Sequence, residues 1–144
     1  MKLFKNNKWL VLILAILSAP FAYGYFMAYW SAWISLPLTL HFADGVTGHM
    51  ASALLTMANA VGIIVIGLLL SVPLNTLFSD KGYLAALAMS LAIVSWSLVT
   101  LIQYSAMITN ILTIIEWLMV LIILPFIVAS TQKYASHAKQ TKCA

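Results

Sequence analysis

Apolar positions dominate this chain in four long runs, and polar positions collect between them. The runs cover about 9–30, 50–72, 83–103 and 107–130. Each is about the 20 residues that a helix needs to cross the hydrocarbon core. None shows the alternation of a membrane barrel, and an open strand would leave backbone groups unpaired in lipid. The pattern predicts an all-α membrane protein, 1–144, of four transmembrane helices in a single domain.

The connections differ in length. An outer loop, 31–49, starts apolar, meets Pro37 and ends polar around Gly45 and Gly48. Its first part is too short to span, which places it at the interface with Trp30 and Trp33 at headgroup depth. The turns "FSDKG" (78–82) and 104–106 are tight. After the fourth run comes a basic tail, 131–144, read as disordered, whose lysines and His137 face anionic lipid.

Composition agrees with the pattern. The chain is 64% hydrophobic and only 7% charged, where soluble domains carry about 25% charged residues. A net charge of +4 from scattered lysines, with no arginine, excludes nucleic acid as a partner. One cysteine, Cys143, excludes an internal disulfide and gives no support for a thiol-ligated metal. The expected surroundings are the lipid bilayer and another membrane protein, with a homo-oligomer also allowed. No cofactor is expected.

Lysine placement orients the bundle. Lys2, Lys5 and Lys8 precede the first run, Lys81 lies between the second and third, and Lys133, Lys139 and Lys142 follow the fourth. With four spans all seven fall on one side, which the positive-inside rule makes cytoplasmic. Both termini are then cytoplasmic, and the setting is a bacterial inner membrane. A cleaved signal peptide ending near "AYG" is the alternative for the first run. The run continues past Gly24 through "YFMAYW", which favours a span.

Within the runs, polar residues are scarce enough to read one by one. Glu116 is the only acid inside a span; counted from Met107 it lies about 13 Å along the helix, near mid-membrane. Such a residue costs about 2.5–3.5 kcal/mol on insertion scales and is expected to face the bundle interior. Thr109 and Thr113 lead to it on one stripe. Counting the same depth in the other spans reaches Asn59, Ser95, and the neighbourhood of Pro20 and Tyr23. Asn59 is the expected partner, because its amide both donates and accepts. These residues predict a buried polar layer of Glu116, Asn59, Ser95 and Thr113.

Small residues suggest where helices meet. Ala85, Ala88, Ala92 and Ser95 form one stripe on the third span, and Gly62 lies on the second among Ser52, Thr56 and Ala60. In the outer loop, His41, Asp44 and His49 are of metal-ligand type, but H-x2-D-x4-H matches no zinc signature. No nucleophile elbow or phosphate loop occurs, so no catalytic residue is assigned and the reading leans away from an enzyme. The expected function is binding of another membrane protein in an accessory, inhibitory, immunity or exclusion role. The alternative is a small transporter or channel subunit using Glu116 as a proton or cation site. A membrane enzyme or metal site at His41, Asp44 and His49 is third.

Overall fold

The computed structural model describes residues 8–42, 48–78, 81–103 and 111–140, all helical apart from the turn at Lys81. Helix α1 is Lys8–Trp30, followed by a π-helical turn, Ser31–Ser35, and by α2, Leu36–Phe42. Three long helices complete the bundle: α3, Gly48–Phe78; α4, Gly82–Gln103; and α5, Ile111–Gln140. Four helical stretches are long and apolar enough to cross a membrane: Trp9–His41, Met50–Phe78, Gly82–Ile102 and Thr113–Tyr134.

Two boundaries differ from the sequence reading. The start of the expected outer loop is helix: 31–42 continue α1, and Pro37 does not break it. The Leu36 N–H bonds to the Ser31 carbonyl, five residues back. That wider turn stands just before Pro37, where the ring would otherwise meet the carbonyl four residues earlier. At the other end, the tail expected to be disordered is helical through Gln140. "ASTQKYASHAKQ" has no proline or glycine and is rich in good helix formers.

The largest interface joins α3 to α5, and the next joins α4 to α5. Helix α1 leans on α4 and more lightly on α3. Contacts fix the directions: Asn59 meets Glu116 and Asn75 meets Thr131, so α3 and α5 run parallel. Trp30, at the end of α1, meets Ala58 in the first third of α3, so those two are antiparallel. We call the end where α1 starts and α5 finishes the terminal end, and the opposite one the loop end.

Ile63, Val120, Leu124 and Val128 are fully or almost fully buried at the α3–α5 seam, backed by Ala85, Ala86, Met89 and Ile93 of α4. Between helices of this kind in a bilayer, lipid would supply no hydrophobic drive and close packing would do that work. Gly67 shows how: a Cβ there would come within 2.9 Å of Ile127 Cδ1, so the side chain of α5 rests on the backbone of α3. Helix α1 is the contrast. Only 6% of its most apolar stretch is buried, against 33% for α3 and for α4.

Candidate functional site

The polar layer forms around one hydrogen bond. Asn59 Nδ2 on α3 donates to Glu116 Oε1 on α5 at 3.1 Å, and both residues are partly buried. A carboxylate in an apolar setting needs such a donor, because an unpaired charge there is costly. The other side of the amide is open: Asn59 Oδ1 is buried without a hydrogen-bond partner among the described residues. The three oxygens of the pair, two on Glu116 and one on Asn59, thus share a single amide donor among the described residues.

The remaining members of the expected layer are placed differently. Thr113 is partly buried one turn before Glu116, with no hydrogen bond joining it to the pair among the described residues. Ser95 is exposed, which corrects its assignment to the layer. Helix α4 buries Ala85, Ala86, Met89, Ser90 and Ile93 instead, while Ala88 and Ala92 are only partly covered at the flank. The face is set by α5 on one side and α1 on the other, and the small-residue stripe alone does not record that. The Ser90 and Ser97 hydroxyls bond to Leu87 and Ile93 carbonyls of their own helix, leaving nothing for the layer.

Along the seam the Asn59–Glu116 pair lies nearer the loop end, and Asn75 and Thr131 nearer the terminal end.

A second polar joint, not singled out from the sequence, closes the other end of the same seam. Asn75 Nδ2 donates to Thr131 Oγ1 at 3.0 Å and to the Val128 carbonyl at 3.4 Å. Its Oδ1 is buried without a hydrogen-bond partner among the described residues and lies against Gly82, where a Cβ would stand 2.6 Å away. One amide thus joins α3, α5 and the first residue of α4. The available signal was spacing: Asn75 follows Asn59 by 16 residues and Thr131 follows Glu116 by 15, about 24 and 23 Å along parallel helices.

Gly62 acts through α1. A Cβ on it would stand 2.8 Å from the Trp30 indole, and Trp30 Nε1 donates to the Ala58 carbonyl at 3.0 Å. Ala58 is one turn before Gly62, so a missing side chain at 62 leaves that carbonyl open to a second donor. Trp30 is therefore turned into the bundle, near its loop end. Trp33 does point outward. Of the loop trio, His41 is exposed on α2. Asp44 and the side chain of His49 lie outside the described residues.

Helix α1 and the π-helical turn after it also carry an exposed aromatic ridge. Phe21, Tyr25, Tyr29 and Trp33 recur every fourth residue and are 56%, 72%, 67% and 76% exposed. Phe21 also meets the Trp96 ring of α4, with centroids 5.3 Å apart. Neither the Tyr25 nor the Tyr29 hydroxyl has a hydrogen bond among the described residues. Comparison with protein families, curated proteins and solved structures finds no match to this chain.

Proposed function

We propose that the chain is a multipass protein of a bacterial inner membrane, with both termini cytoplasmic, that acts by binding another membrane protein. The one-sided lysines support the orientation. The observation that carries the binding role is the aromatic ridge of α1. Tyr25 and Tyr29 lie on the outward side of an apolar helix long enough to span, where lipid chains offer a hydroxyl no hydrogen-bond partner. A hydroxyl left unpaired in an apolar setting costs about 1–3 kcal/mol on mutational scales. A second helix offering acceptors to Tyr25 and Tyr29 removes that cost, and aromatic side chains are the usual anchors of such contacts. This fits an accessory, inhibitory, immunity or exclusion role, with no catalysis of its own.

The test is photocrosslinking in native membranes. A photoreactive residue at Tyr25 or Tyr29 is expected to give one discrete protein adduct; the same residue at Ile122, exposed on α5, is expected to give lipid adducts only. Equal outcomes at both helices would overturn the reading.

A second reading has one specific observation in its favour. The unpaired Asn59 Oδ1 beside the Glu116 carboxylate is a place for a proton or cation, as in a small transporter or channel subunit. Glu116→Gln separates the two: the binding reading expects a folded, functional protein, and the transport reading a folded, inactive one.

A further inference from the structure

Asn59 and Glu116 use only part of what their end groups can exchange. Asn59 Nδ2 donates to Glu116 Oε1 at 3.1 Å, while the oxygen on the same amide, Oδ1, is buried without a hydrogen-bond partner among the described residues. Amide and carboxyl are planar groups of similar size, each with two polar atoms on one carbon. Set edge to edge they close a ring with two hydrogen bonds, if each group both donates and accepts. An amide always does both. A carboxyl group does so only when it carries a proton, because the charged form accepts without donating. A carboxylate would set oxygen against Oδ1 and leave that atom unpaired in an apolar setting, which is costly.

The direction of the amide favours a proton over a metal cation. A hard cation gathers oxygens, and it would repel the N–H that lies on Oε1. No group of three or more acidic, histidine or cysteine side chains suited to a metal occurs among the described residues. Nor does a neighbouring charge hold the acid as a carboxylate. Helix α3 carries no acid or base from Met50 to Phe78, and on α5 the next one after Glu116 is Lys133, exposed near the terminal end. Lys81 is exposed at that end too, Tyr83 of α4 is exposed beside it, and His41 is exposed on α2. On α1, Tyr25 and Tyr29 turn outward, and Tyr23 packs partly buried against the core.

We propose that the Asn59–Glu116 joint is a proton-binding site, with one proton carried on Glu116 Oε2 and donated to Asn59 Oδ1. Closing that ring asks only for rotation about the terminal torsions of the two side chains, which are broad. The inference rests on the chain lying in a bilayer and is independent of any protein partner. It deepens the reading of this pair as a place for a proton or cation by committing to the proton. Loss of the proton opens the ring and loosens the seam at its loop end. Asn75 and Thr131 do not titrate, so the terminal end stays closed.

Infrared spectra of the full chain in phosphatidylcholine vesicles test it. The difference between wild type and Glu116→Gln at neutral pH is expected to show the carbonyl stretch of a protonated carboxyl group, shifted in heavy water. In Asn59→Leu that stretch is expected to move to the position of an acid carbonyl that accepts no hydrogen bond. Stability gives a readout that does not depend on the Asn59 variant. A proton held by the folded chain and released on unfolding makes stability fall as pH rises, by up to about tenfold in the unfolding equilibrium constant per pH unit. Glu116→Gln supplies the second N–H without a proton and is expected to lack that slope. A carboxylate stretch for Glu116, an acid stretch unmoved in Asn59→Leu, or equal slopes in wild type and Glu116→Gln would each overturn the proposal. Conversion of the acid stretch to a carboxylate stretch on adding sodium chloride would overturn it in favour of a metal cation, and would leave the transport reading standing.

Discussion

The α3–α5 seam and helix α1 are both apolar helix surfaces, yet they are built on different principles. The seam is closed at each end by an asparagine, Asn59 to Glu116 and Asn75 to Thr131. Between them Gly67 takes up Ile127, and Ile63, Val120 and Leu124 are buried. Helix α1 is latched at one end by Trp30, opens into a groove at the other, and turns its tyrosines outward. Rigidity is concentrated where backbones touch, and the surface left for other molecules is concentrated where they do not. If that contrast is real, substitutions in the seam cost stability, and those on α1 change what the protein binds.

The largest effect is expected at Gly67. Gly67→Leu would put a branched side chain where even a Cβ stands 2.9 Å from Ile127. Overpacking of this kind costs about 1–3 kcal/mol, read as earlier unfolding in a denaturant titration in micelles. A variant as stable as wild type would show that the seam is looser than its geometry implies.

Next comes the polar joint. Intramembrane hydrogen bonds average about 0.6 kcal/mol with a maximum near 1.7, so Glu116→Leu and Asn59→Leu are each expected to lose an amount in that range. In the double variant the losses are expected to fall short of additivity by the coupling energy. Strict additivity would mean that the 3.1 Å contact contributes nothing. Glu116→Gln keeps shape and hydrogen-bonding capacity and is expected to leave stability unchanged.

Smaller still is the latch. Trp30→Phe removes the donor to Ala58 and is expected to cost about 0.6 kcal/mol. Its clearer readout is easier proteolysis or faster amide exchange in α1, with α3 and α5 unaffected. Exchange rising equally in all helices would erase the distinction between the two regions. The smallest effect is expected at Ser95: because it is exposed on α4, Ser95→Leu is expected to change stability by less than about 0.5 kcal/mol. A large loss would restore it to the buried layer.

The pairing of Glu116 with Asn59 was within reach of the sequence because a count puts them at equal depth and an amide complements a carboxyl group. The same count chose Ser95 on α4 because depth says nothing about rotation. Asn75 escaped notice near the end of its run, where a polar residue reads as ordinary interface. Pro37 marked a break that a π-turn absorbs, and the tail's composition suited helix as well as coil.

Sequence by itself determined that there are four apolar helices and, through seven lysines, which ends share a sign of charge. Both properties are sums along the chain, and hydropathy and charge add locally whatever the neighbours do. Only the tertiary structure decided which way each helix faces. Around these helices nearly every side is apolar, so no amphipathic contrast records the inner face as it does in water. Rotation was instead fixed by shape, one contact at a time: Trp30 on Gly62, Ile127 on Gly67 and Asn75 on Gly82. Each is a place where a missing side chain on one helix matters only because of what another helix brings to it.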